Sequence, residues 1–144
     1  MTSDKSPSRK PYAARTEVPA EKTRAEIEVL LRGESGTRIV TMDEAGELVV
    51  AWAAWGRWYK IVVLVESHLS AQERRAKWRA LLLVIKAKIE AIHQGISSLE
   101  REFLADTIMP DGQTVAEWVE PQLAKAFDSG QMPKLLPDYS GQGS

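Results

Sequence analysis

Leu48-Val-Val-Ala-Trp-Ala-Ala-Trp-Gly-Arg-Trp-Tyr-Lys-Ile-Val-Val-Leu-Val65 reads as two β-strands folded about Trp55-Gly56. Its β-branched and aromatic residues suit a pleated surface, and the Trp-Gly pair marks the turn. The preceding Thr37-Arg-Ile-Val-Thr-Met42 supplies a further strand, joined through Asp43-Glu-Ala-Gly46. Consecutive hairpins of this kind form an antiparallel meander.

Turn lengths set the register, because directly opposed residues share a face. With residues 55–56 as the loop, Trp52 opposes Tyr59, Val50 opposes Ile61 and Leu48 opposes Val63. With residues 43–46 as a loop closed by a left-handed Gly46, Val40 opposes Val49 and Ile39 opposes Val50. One face then holds Ile39, Leu48, Val50, Trp52, Tyr59, Ile61, Val63 and Val65 and is the core face. The other holds Arg38, Val40, Met42, Val49, Ala51, Ala53, Trp58, Lys60, Val62 and Leu64. A solvated sheet normally shows one apolar and one polar face. Here the second face is also apolar, so it is either covered or a binding surface.

Outward from the hairpins the pattern is helical. Pro19 opens a first helix near residues 19–32, with Ile27, Leu30 and Leu31 inward, Arg24, Glu28 and Arg32 on a solvated face, and Gly33 as a left-handed stop. Ser70-Ala-Gln-Glu73 is a capping box that starts a long helix running to Gln94, stopped by Gly95. Trp78, Leu81, Leu82, Ile85, Ile89 and Ile92 form its core stripe, and Leu83 and Val84 widen it enough to predict burial along the helix middle. Ser97-Ser-Leu-Glu100 is a second capping box that begins a helix through about Asp106, Met109-Pro-Asp-Gly112 is a turn, and Thr114-Val-Ala-Glu117 is a third capping box. The helix it opens carries Trp118, Leu123 and Phe127, and Pro121 predicts a break or kink within it. The fold class is α+β: a short helix, a three-stranded meander, a long helix on one sheet face and a helical C-terminal segment.

The chain has 144 residues, enough for one domain with a substantial core. We expect a basic arm at residues 1–17, a domain at 18–130 and an extended tail at 131–144. The absence of cysteine removes disulfides, zinc-thiolate sites and thiol nucleophiles. The start of the chain lacks a signal-peptide centre, and the longest uncharged run, Leu48 to Gly56, falls far short of the ~20 residues of a membrane helix. A soluble, cytoplasmic protein is expected.

Ordinary catalytic patterns are missing. His68 and His93 are distant in sequence and have no second ligand at metal spacing. The glycines sit at turns rather than in a phosphate loop, and the acids fall on solvated helix faces or in caps. No enzyme, metal or cofactor is expected. What remains is a binding surface: Arg38, Trp58 and Lys60 on the second sheet face, with Trp55 and Arg57 at the hairpin tip. Aromatics interleaved with cations hold single-stranded nucleic acid in several folds. Core or protein–protein packing is the competing reading of the same residues. Arg9, Lys10 and Arg15 on the arm, with Arg74, Arg75 and Arg79 on the long helix, form a secondary basic surface. The net charge is only −1, and the competing reading packs that helix beside the acidic C-terminal segment.

Three segments carry a resemblance. These are Tyr12-Ala-Ala-Arg-Thr-Glu-Val-Pro-Ala-Glu-Lys-Thr-Arg-Ala-Glu-Ile-Glu-Val-Leu-Leu31, Trp78-Arg-Ala-Leu-Leu-Leu-Val-Ile-Lys-Ala-Lys88 and the stretch from Leu104 to Pro121. Together they resemble a family of small proteins encoded by bacteriophages and prophages, one with no established activity to transfer. The resemblance implies an accessory protein of a mobile element in a bacterial host. Such a protein would bind nucleic acid in DNA replication or recombination, or act as a protein-interaction module or oligomer, for example against a host defence. Trp52, Trp55 and Trp58 depart from the plainer strands of that family.

Overall fold

The computed structural model describes residues 17–133. In chain order these form α1 (Ala20–Gly33), β1 (Thr37–Glu44), β2 (Glu47–Ala54), β3 (Arg57–Leu64), α2 (Ala71–His93), α3 (Leu99–Glu102) and α4 (Val115–Ser129). The strands make one antiparallel sheet in the order β1-β2-β3, giving the expected α+β fold. The expected arm, apart from Glu17, and the expected tail beyond Pro133 lie outside the described residues.

The second hairpin pairs as its turn length implies: Trp52 with Tyr59, Val50 with Ile61, Leu48 with Val63. Trp55 and Gly56 take φ values of 52° and 76°. Two left-handed residues match the right-handed twist of the flanking strands. Glycine adopts this conformation freely, whereas Trp55 does so at a cost of roughly 1–2 kcal/mol.

The first hairpin differs from expectation. Its loop is only Ala45-Gly46, with Asp43 paired to Leu48 and Glu44 to Glu47, so Val40 opposes Ala51 rather than Val49. Gly46 is not left-handed. Asp43 belongs to the strand because tertiary partners hold it there: its carboxylate accepts from Arg74 Nη1 and from Trp78 Nε1, the latter at 2.8 Å. The register moves by two residues, and since side chains alternate with period two, both faces keep their residues. Near the start of β1 a bulge lies between Thr37 and Val40, and Arg38 within it has φ 51°.

α1 and α2 cover the inner sheet face. The core joins Ile27 and Leu31 of α1 to Leu48, Val50, Trp52 and Tyr59 of the sheet, Trp78, Leu81, Leu82, Ile85 and Ile89 of α2, and Phe103. Each large side chain contributes about 1.5–3 kcal/mol through burial. Trp52 stacks on Tyr59 at 5.3 Å between centroids, and Phe103 meets Trp52 edge-on at 5.4 Å. Leu83 and Val84 are exposed, contrary to expectation. With one sheet face and one neighbouring helix to pack against, α2 buries a single stripe.

Arg24 is not on a solvated face. It donates through Nε to Thr41 Oγ1 and through Nη2 to the Thr41 carbonyl, both at 2.9 Å, with its guanidinium 5.3 Å from the Trp78 ring centre. With a two-residue loop, the ladder alternates so that the Thr41 carbonyl points off the free edge of β1. Arg24 therefore caps that edge. Gly33 remains helical, and the left-handed residue that follows is Ser35, φ 66°.

The expected helix from Ser97 to Asp106 shrinks to the four residues of α3, and its cap is the Ser98 hydroxyl, accepting from the Arg101 N–H, rather than a Ser97–Glu100 box. The chain then turns and runs along the other edge of the sheet. Lys60 N–H donates to the Asp106 carbonyl and Ile108 N–H to the Trp58 carbonyl, each at 2.8 Å. Satisfying the edge groups of β3 replaces the last turns of helix. The Thr114–Glu117 capping box forms as read. α4 continues through Pro121 where a break was expected. The proline removes one intrahelical donor, and the Gln122 side chain donates to the Trp118 carbonyl at 3.0 Å. No helix among the described residues is long and apolar enough to cross a membrane.

Candidate functional site

The sheet face turned away from α1 and α2 is laid out in rows by the strand register. Glu44, Glu47 and Leu64 form one end row; Met42, Val49 and Val62 the next; Val40, Ala51 and Lys60 the third. The last row joins Ala53 and Trp58, with Arg38 beside them at the bulge. Carboxylates thus occupy one end, cations the other, and aliphatic side chains the middle. Val40, Met42, Val62, Leu64 and Trp58 are all exposed, Leu64 with 79% and Trp58 with 41% of its surface open. Val49 in the central strand is buried by its neighbours.

Of the residues picked out in the sequence, Arg38, Trp58 and Lys60 come together on this face. The Arg38 guanidinium lies 5.9 Å from the centre of the Trp58 ring, a cation–π distance. The bulge and the left-handed backbone at Arg38 set this pair up, and backbone strain of this sort collects at functional surfaces. Trp55 and Arg57 are exposed at the hairpin tip, at the edge of the face rather than within it. Arg9, Lys10 and Arg15 lie outside the described residues.

The secondary basic surface does not form on α2. Arg74 is paired with Asp43, Arg79 with Glu26 at 2.9 Å, and Arg75 with Glu17 at 3.6 Å. These acids come from α1, the residue row before it and β1, not from the acidic C-terminal segment. Only Lys88 turns that way, donating to the Glu102 carbonyl at 2.8 Å. Arg74, Arg75 and Arg79 hold the layers together instead of facing an external anion.

Sequence reasoning placed Val40, Met42, Val62 and Leu64 on this face without counting them as a site. Their alternation in two strands was the available signal. It also missed α4 as an apolar surface. That helix buries no side chain, and Phe127 is 84% exposed. Val119, Leu123, Ala126, Phe127, Met132 and Pro133 line a groove of about 460 Å³ along it.

Among the described residues three carboxyls are shifted from their ordinary values, each by local causes. Burial pushes the Asp106 carboxyl above its ordinary value, partly offset by Lys88. Hydrogen bonds with the Ser70 amide and hydroxyl hold Glu73 below its ordinary value, and those with Thr114 do the same for Glu117, with Lys60 adding to the effect. His93 lies 3.0 Å from Glu34 at the end of α2, and His68 lies 3.0 Å from Glu66. Among the described residues no group of three or more such side chains is placed to hold a metal ion.

No protein-family model matches this chain, and neither does any curated protein or solved structure.

Proposed function

We propose that this protein is a non-catalytic protein-interaction module, an accessory protein of a phage or prophage, and that the outer sheet face is its contact surface. The observation that carries the reading is the exposure of Val40, Met42, Val62, Leu64 and Trp58 on one contiguous face. Three strands of eight residues span about 26 Å by about 14 Å, on the order of 370 Å². The largest apolar patch on a typical monomer is of the order of this face and is often functional.

Single-stranded nucleic acid is the second reading, favoured by the Arg38–Trp58 stack beside Lys60. It ranks second because nucleic-acid affinity rests mainly on phosphate neutralisation. The face brings only two cations among the described residues, and Arg74, Arg75 and Arg79 of α2 are engaged internally.

Affinity purification of the tagged full chain from the cells that make it separates the two. The interaction reading expects a bound protein, a second copy included, that is lost with Val62→Glu. Equal recovery with both forms, or recovery of nucleic acid alone, would contradict it. Salt-sensitive quenching of tryptophan emission by a single-stranded oligonucleotide would support the second reading.

A further inference from the structure

We infer that the partner of the outer sheet face is a second copy of this chain, packed face to face about a two-fold axis lying across the strands. The inference rests on the interaction reading above and names its partner. It stands on the order of the rows. A two-fold axis running across the strands, midway between the two sheets, lays β1 over the partner's β1 and exchanges the ends of every strand. Glu44 then lies over the partner's Arg38, and Leu64 over the partner's Trp58. Met42 lies over the partner's Val40, and Val62 over the partner's Lys60, which puts that lysine one strand and one row from Glu47.

Glu44 therefore meets a cation directly, Glu47 has one diagonally within reach of a long side chain, and the aliphatic rows meet each other. The alternative axis, parallel to the strands, keeps the ends in place. It sets Glu44 over the partner's Leu64 and leaves all four carboxylates of the two copies at one end. Charge complementarity selects the first. An isologous contact needs a self-complementary patch, and this face is one. Sheets packed in this way stay aligned within about 30°, which keeps opposed rows near each other.

Edge-to-edge pairing is a poorer route to a dimer. Arg24 occupies the Thr41 carbonyl on the free edge of β1, and residues 106–108 occupy the edge of β3. The open surface is the face. Its size bears on the strength: about 370 Å² of projected sheet per copy, roughly 740 Å² for the pair, lies below the ~1,200 Å² of stable interfaces, so the dimer belongs to the weak, reversible class.

Light scattering of the purified full chain over a dilution series tests this. The expected result is twice the chain mass at about 100 µM, falling toward the monomer at sub-micromolar concentration. Arg38→Glu and Glu44→Arg should each weaken the dimer at least tenfold, and the two together should restore it. Lys60→Glu with Glu47→Lys forms a second reciprocal pair, which decides the matter if either change at the Arg38 bulge unfolds the chain. Circular dichroism confirms the fold of each variant. A monomer at every concentration, or double variants no tighter than their single parents, would overturn the inference. A monomeric chain would leave the wider interaction reading to the purification experiment, so the two fail separately.

Discussion

The indole N–H of Trp78, a residue of α2 with no exposed surface, donates to Oδ2 of Asp43 in β1 at 2.8 Å. Arg74 pairs with the other carboxylate oxygen, and Arg24 lies over the indole ring. One aspartate thus ties the long helix to the first strand and fixes the length of the first hairpin. Asp43→Ala leaves a mostly buried guanidinium without its counter-ion, though still donating to the Glu44 carbonyl, and a buried indole N–H without its acceptor. It should lower unfolding free energy by about 2–4 kcal/mol in urea titration. Asp43→Asn, which keeps one acceptor oxygen, should cost less.

The second hairpin carries a correctable strain. Trp55 sits at φ 52° in a position where asparagine is the favoured residue. Trp55→Asn should raise stability by roughly 0.5–1 kcal/mol although it removes an aromatic side chain, because that side chain is exposed. Gly56→Ala, at φ 76°, should lower stability by about 1–2 kcal/mol. Thermal unfolding of the pair checks both signs.

Tyr59 is buried in the aromatic cluster, and its hydroxyl has no hydrogen-bond partner among the described residues. A buried hydroxyl left unpaired costs free energy. Tyr59→Phe should therefore be neutral or stabilising by up to about 1 kcal/mol, whereas Tyr59→Ala should cost about 3–5 kcal/mol by opening a cavity. Urea titration of both variants separates the ring from its hydroxyl.

Asp106 supplies a pH dependence with a definite sign. Its carboxyl is pushed above the ordinary 3.8 by burial, so the folded state holds this proton more tightly than the unfolded chain. That contribution is fully present below the unfolded pKa and is lost as pH rises through the folded value. Glu73 and Glu117, held below the ordinary 4.5, act oppositely and lose their contribution in acid. Asp106→Asn should stabilise the protein at pH 7 and have little effect at pH 3. Denaturant titrations at the two pH values test this, and an equal effect at both would contradict it.

Local patterns were read well where local chemistry decides the structure. The Trp55-Gly56 turn fixed the β2–β3 register, and the Ser70 and Thr114 capping boxes marked helix starts. The two sheet faces followed from alternation alone. They survived the error in the first hairpin because that error was a shift by two. The misreadings lie where a distant partner decides. Asp43 and Glu44 resemble loop residues until Trp78 and Arg74 reach Asp43 across the fold. Arg75 and Arg79 resemble an anion surface until Glu17 and Glu26 neutralise them. Thr107-Ile108 is too short a β-branched stretch to announce that it pairs with β3. Leu123 and Phe127 show helical spacing, but spacing does not say whether the stripe faces the chain's own core.

The central claim is that the outer sheet face is covered in use. Met42 and Trp58 on that face, with Met132 and Trp55 as exposed references, offer a direct readout by oxidative footprinting in the cells that make the protein. The account predicts that Met42 and Trp58 are oxidised much less than their exposure in the free chain implies, while Met132 and Trp55 react freely. Oxidation of all four in proportion to their free-chain exposure would contradict it.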